Sequence, residues 1–250
     1  CKSVMRRQGK GCTGFPKNII LTGFMGCGKT TVGRLLAAAL HLPFVDADHE
    51  IEKAAGMEIP AIFQACGEPY FRRLEEEQIE KLLCDAKFVE ALVADSTPTT
   101  KQITNFTSAT SQPPDCVLAT SQLPDCAPVA SQPANCTSAT SQPADSVQSH
   151  TGGIVLATGG GAVMSERNRQ NFHEKGISIY LQLHLSECIK RISQDASRPL
   201  GSGKSREELA ALFASRRAFY EDCDICYITD GKTPQQCAQE LSVLLRPMIK

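Results

Sequence analysis

The run Gly23-Phe-Met-Gly-Cys-Gly-Lys29-Thr30 constrains this chain more than anything else in it. It fits the pattern GxxxxGK[ST], directly behind the short apolar stretch Asn18–Thr22 and at the head of a helical pattern. A strand, a glycine-rich turn and a helix in that order make a phosphate-binding loop, because the turn aims backbone N–H groups at phosphate oxygens. The helix N-terminus adds a partial positive charge. Gly26, Cys27, Gly28 and Thr31 are therefore candidate phosphate contacts, Lys29 the cation for the β and γ phosphates, and Thr30 a Mg²⁺ ligand.

Such a loop calls for a parallel sheet, and the rest of the chain supplies one. Val32, Leu35, Leu36, Ala39 and Leu40 keep helical spacing over Thr30–Leu40. Phe44–Asp46 reads as a second strand, Ile51–Ala55 as a helix ended by Gly56, and Pro60–Gly67 as another. A longer helix starts near Pro69, striped by Phe71, Leu74, Ile79, Leu82 and Leu83. Further on, Gly153–Thr158, Ser178–Leu183 and Ile225–Thr229 read as strands. Ser186–Ser193, Ser205–Tyr220 and Gln235–Leu245 read as helices, the last with Thr233-Pro234 as its cap. The alternation implies an α/β fold with helices on both faces of the sheet.

Composition breaks this pattern once. From Ser111 the blocks SQPPDCVLAT, SQLPDCAPVA, SQPANCTSAT and SQPADSVQSH repeat every ten residues. Proline recurs too often for a helix and few large apolar groups offset ordering entropy, so 96–151 reads as a disordered low-complexity insertion. Lengthening a loop from about 8 to about 65 residues costs only about 2 kcal/mol of closure entropy. The expected organisation is a disordered head (1–17), two parts of one phosphate-loop domain (18–95 and 152–250) and the insertion between them. The head holds five basic residues and no acid; it reads as a disordered start with Met5 a candidate initiator, or as the remnant of a targeting segment.

Charge is balanced, 26 Lys and Arg against 27 Asp and Glu, so no global field recruits nucleic acid or membrane. No apolar run approaches the length of a membrane span. The twelve cysteines lack a disulfide-scaffold pattern, and Cys223-Asp-Ile-Cys226 lacks a second metal-ligand pair. A reducing, cytoplasmic setting is expected.

Several polar motifs fall at the expected C-terminal edge of the sheet, where open α/β sheets bind ligands. Asp46-Ala-Asp48 ends the second strand; its carboxylates suit Mg²⁺ and a substrate hydroxyl, or Asp48 caps the next helix. Arg72-Arg73 fits an anionic partner, either a carboxylate ligand or Glu75 or Glu76. Gly159-Gly160-Gly161 brings backbone close to something bound, or makes a plain turn. Arg198-Pro199 lies in the polar loop Ser197–Ser205, ahead of a helix carrying Arg216-Arg217. Arginines on such loops close over phosphates or remain solvated.

The ordered set DAD (Asp46–Asp48), IFQACGEPYFRRLE (Ile62–Glu75), GGGAV (Gly159–Val163), RP (Arg198) and SRRAFY (Ser215–Tyr220) resembles shikimate kinase over about 18–84 and 153–245. The resemblance implies a three-layer P-loop kinase fold with a five-stranded parallel sheet and a mobile lid. It implies ATP as co-substrate, Mg²⁺, and shikimate phosphorylated at its 3-hydroxyl in aromatic amino-acid synthesis by a cytoplasmic monomer. It would place Asp48, Arg72, Gly160, Gly161 and Arg217 on shikimate, with Arg72 and Arg217 on its carboxylate and Asp48 as base. Lys29, Asp48 and Arg198 would be catalytic, Thr30 and Asp46 would serve Mg²⁺, and Arg191 would lie by the adenine. The insertion lies outside the family pattern, and the lid is glycine-rich here, Pro199-Leu200 running into Gly201-Ser-Gly203. Alternatives are another kinase of a small hydroxylated acid, such as gluconate, and an inactive kinase-like interaction protein.

Overall fold

The computed structural model describes residues 4–5, 18–84, 153–194 and 204–249. All of them fall in one unit, Cys1–Ser96 with His150–Lys250. The insertion and the lid loop with Arg198 lie outside the described residues.

The elements run β1 (Val4–Met5), β2 (Asn18–Thr22), α1 (Lys29–Leu40), β3 (Phe44–Asp46), α2 (Ala47–Ala55) and α3 (Ile59–Cys84). After the insertion come β4 (Val155–Ala157), a 3₁₀ turn (Ala162–Met164), α4 (Glu166–Lys175), β5 (Gly176–Gln182), α5 (Leu185–Gln194), α6 (Arg206–Glu221), β6 (Ile225–Ile228) and α7 (Pro234–Leu245). The sheet order is β1-β6-β5-β2-β4-β3. Five strands, β2 to β6, are parallel. Val4–Met5 adds an antiparallel edge, with Val4 opposite Cys226 and Met5 opposite Ile225, so the pairing extends into the head.

Strands buried on both faces need continuous apolar runs rather than alternation, and these have them. All of β2 and all of β4 are buried, as are five of the seven residues of β5. Asn18 is the polar exception. Its Nδ2 donates to Lys175 O (3.0 Å) and Leu83 O (3.4 Å), and its Oδ1 accepts from Ile154 N (3.1 Å). One buried amide thus joins the ends of three segments, and its hydrogen bonds offset the cost of burying it.

α3 is two helices in one: Gly67 (φ 77°, ψ 169°) breaks it just before Pro69, as the sequence predicts. α6 and α7 both open on capping boxes, Ser205 with Glu208 and Thr233 with Gln236. α4, by contrast, has no counterpart in the sequence reading. Its residues, ERNRQNFHEK, are nearly all polar, and only Asn168 and Phe172 are buried. Ser165 caps it by accepting from Asn168 N (3.3 Å). Among the described residues, no helix is long and apolar enough to cross a membrane.

This topology delivers the chemistry to one edge. β2 lies between β5 and β4, and β3 lies beyond β4. The phosphate loop leaves the C-terminal end of β2, the DAD motif that of β3 and the triple glycine that of β4. Parallel register, Leu21 and Asp46 both opposite Ala157, brings the three ends level.

Candidate active site

The loop before α1 takes the shape its glycines permit. Gly23, Gly26 and Gly28 have φ of 144°, 79° and 96°, a region L side chains rarely enter, and Gly28 is the N-cap of α1. Lys29 folds back over the loop, its Nζ donating to Gly23 O (2.9 Å) and Phe24 O (3.2 Å). Two neutral carbonyls are weak partners for an ammonium, so an anion at the loop can exchange for them. Cys27 is buried beneath, its Sγ 4.0 Å from Nζ, and Thr31 is exposed. Arg191, from α5, reaches across to donate to Gly26 O (3.3 Å).

Asp46 joins this loop to the next motif. Its Oδ2 accepts from Thr30 Oγ1 at 2.8 Å, and its Oδ1 accepts from Asp48 N at 3.2 Å, capping α2. The cap is therefore Asp46, and Asp48 lies in the first turn of the helix. Its carboxylate faces the triple glycine: a Cβ on Gly159 would lie 2.6 Å from Asp48 Oδ1 and 2.9 Å from Glu75 Oε1.

Arg72 and Glu75 complete that wall. Arg72 Nη1 donates to Glu75 Oε2 (2.8 Å), and Nη2 donates to Glu68 Oε1 (3.1 Å). A Cβ on Gly161 would stand 2.5 Å from Arg72 Nη1, so only glycine admits the guanidinium there. Glu75 is 1% exposed, and its Oε1 has no hydrogen-bond partner among the described residues. Burial pushes its carboxyl above the usual 4.5; Arg72 pulls it back and nearby Asp48 adds to the rise. An unpaired, buried oxygen beside Asp48 is an acceptor awaiting a donor.

Gly160 closes the group from the other side. Its carbonyl accepts from Arg216 Nη1 (3.2 Å) and from the Tyr220 hydroxyl, both on α6. A Cβ on Gly160 would lie 3.5 Å from Met25 N, so the triple-glycine turn touches the phosphate loop as well.

Of the residues expected at the site, Lys29, Thr30, Asp46, Asp48, Arg72, Gly160 and Gly161 are brought together. Arg217 is not. It is 60% exposed and paired with Glu221 (2.8 Å), and the inward arginine of α6 is its neighbour Arg216. The physical reason is helical phase: Arg216 falls within the inward stripe of Leu212, Phe213, Phe219 and Tyr220, whereas Arg217, about 100° round from Arg216, falls over exposed Ala214. Glu75, Arg216 and Tyr220 were not singled out as site residues, although the spacing Leu209, Phe213, Arg216, Tyr220 already carried the phase. The CxxC sulfurs turn to separate partners, Cys223 Sγ to Ile225 O (3.4 Å) and Cys226 Sγ to Gln182 Oε1 (3.1 Å).

A family model described as shikimate kinase matches residues 25–107 and 143–246. The chain belongs to the shikimate kinase family. Between the two matched stretches, 108–142 lies within the low-complexity insertion, 96–151. The shikimate kinase of Ruegeria pomeroyi is 31% identical over 224 residues, 89% of this chain and 81% of that protein. The shikimate kinase of Thioalkalivibrio sulfidiphilus is 32% identical over 227 residues, 90% and 85% of the two chains. Among solved structures, shikimate kinase from Acinetobacter baumannii in complex with shikimate is similar with a TM-score of 0.63 and 27% identity, covering 94% of this chain and 96% of that one.

Proposed function

We propose that this chain transfers the γ-phosphoryl group of ATP to the 3-hydroxyl of shikimate. The observation that carries this reading is the triple-glycine turn. One short segment touches the phosphate loop at Met25, two carboxylates at Asp48 and Glu75, and Arg72 and Arg216. A hydroxylated carboxylic acid asks for that combination: arginines for its carboxylate, carboxylates for its hydroxyls, and a phosphate loop within reach.

The geometry supports a division of labour. Arg72 is held by Glu75 and Glu68 and Arg216 by Gly160 O, so each guanidinium keeps N–H groups free of large motion for a bidentate grip on carboxylate. Asp48 accepts the proton of the attacking hydroxyl, and the unpaired Glu75 Oε1 accepts from a second hydroxyl. Lys29 leaves its two carbonyls for the β and γ oxygens, where charge spreads as the phosphoryl group loosens. Arg191 borders the nucleotide side, and Arg198 is assigned to the transferring group from the sequence alone.

Mg²⁺ suits the donors present. Thr30 Oγ1 and the Asp46 carboxylate are hard oxygen ligands 2.8 Å apart beside the phosphate loop, and such ions take few protein ligands together with phosphate oxygens. When bound, the ion supplies positive charge for the phosphate oxygens. Thr30 would bind it directly, and Asp46 would hold its water shell.

An ADP-release assay with shikimate, gluconate and the carboxylate-reduced analogue of shikimate tests the assignment. Turnover with shikimate alone supports it. Faster turnover with gluconate gives the site to another hydroxy acid, and ADP release indifferent to any acceptor leaves only a nucleotide-binding relic.

A further inference from the structure

We infer that Tyr220 is a positioning residue for substrate recognition, holding the Gly160–Gly161 peptide in the orientation that the acid's carboxylate requires. The inference rests on the proposed function for the identity of that acid. Tyr220 is fully buried, and its ring stacks on Tyr180 at 5.3 Å with 13° between planes. Tyr180 lies on β5 directly opposite Thr22, the last residue before the phosphate loop. The phenol is thus anchored to the rigid sheet, and its hydroxyl donates to Gly160 O. Burial pushes the phenol well above its usual range, so it donates as a neutral group.

Gly160 lies in a run of three glycines, which have no side chains to restrict their dihedrals. Ala162 N closes the turn on Gly159 O (3.2 Å), but the central Gly160–Gly161 peptide can face either way with that bond kept, so its orientation must come from outside the turn. In a trans peptide the carbonyl of one residue and the N–H of the next point to opposite sides. Pulling Gly160 O toward α6 therefore turns the Gly161 N–H away from α6, on the residue whose Cβ direction meets Arg72. Arg216 donates to the same oxygen at 3.2 Å. A carbonyl has two acceptor sites, and α6 fills both from one face, four residues apart. With Tyr220 in place, Arg216 spends one N–H on the turn and the others remain for ligand. Without it, the orientation of Gly160 O is left to the arginine.

Tyr220→Phe is the test, because it keeps the buried ring and the stack on Tyr180 while removing one hydroxyl. Two measurements are made on the full chain: steady-state kinetics with shikimate and with ATP, and the carbonyl carbon of Gly160 with the amide nitrogen of Gly161 in the NMR spectrum of glycine-labelled protein. The expected result is a change in both glycine signals and a KM for shikimate raised about five- to ten-fold, with KM for ATP within about two-fold. Unchanged glycine signals would overturn the inference, as would changed signals with an unchanged KM for shikimate, which leaves the hydroxyl a purely structural role. Wild-type protein that fails to phosphorylate shikimate sinks the functional reading separately, and the Gly160 signal then still decides whether Tyr220 holds the turn.

Discussion

Arg216→Ala and Arg217→Ala, made side by side, separate two neighbouring arginines that sequence alone treats alike. Arg216 is half-buried and oriented by Gly160 O, whereas Arg217 is 60% exposed and bonded to Glu221. A charge-assisted contact to a substrate carboxylate from a partly buried guanidinium is worth about 2–3 kcal/mol. Its loss should raise KM for shikimate about 30- to 150-fold, at 1.4 kcal/mol per decade. Tyr220 still holds Gly160 O in the Arg216→Ala protein, so the turn survives and KM for ATP should stay within about three-fold. Arg217→Ala should leave both constants within about two-fold, as for most exposed substitutions. Arg72→Ala should match Arg216→Ala, and the double variant should lose less than the two single losses combined, since both grip one group. Steady-state kinetics with each substrate varied in turn reads all of this. Equal losses for Arg216→Ala and Arg217→Ala would refute the phase argument, and a loss confined to ATP would move Arg216 to the nucleotide side.

Lys29→Met should cut kcat by at least about 100-fold with the unfolding transition retained, because the ammonium matters most as charge develops on the transferring phosphoryl group; activity within ten-fold of wild type would remove Lys29 from that role. Glu75 is held above its ordinary pKa, so between the unfolded and folded values the native state carries the extra proton and stability falls as pH rises from about 4.5. Glu75→Gln should flatten that fall in urea denaturation from pH 4.5 to 7, and an unchanged slope would mean that Glu75 is not its source. Replacing residues 97–149 with a short Gly/Ser linker should keep kcat within a few-fold, since every assigned site residue lies outside the tract; a folded but inactive product would give the repeats a catalytic role.

The parts of the fold legible in the sequence were those with a strong local pattern. Asn18–Thr22 and Phe44–Asp46 have the bounds their apolar runs suggest, and Gly67 breaks α3 where it was placed. α4 was not legible because it buries little beyond Phe172, so its sequence lacks a stripe, and Ser165 with Glu166 in the first turn is a weak start signal by itself. At the site, the phosphate loop and DAD announce themselves through spacing. The Arg72 alternatives proved compatible: it pairs with Glu75 and still borders the triple glycine. Glu75 itself looked like one acid in the run Glu75–Glu77, and only its phase, four residues from both Phe71 and Ile79, marks it as the buried one, at 1% exposure. Arg216 and Arg217 differ only in helical phase, which the inward stripe of Leu212, Phe213, Phe219 and Tyr220 sets.

The central claim is that the acceptor is the 3-hydroxyl of shikimate, and product structure tests it most directly. The full chain is incubated with ATP, Mg²⁺ and shikimate, and phosphorus and proton NMR locate the new phosphate. One phosphomonoester is expected, its phosphorus coupled to the ring proton at C3, formed in step with ADP. A phosphate on another hydroxyl, or ADP released with no phosphorylated shikimate, would contradict it.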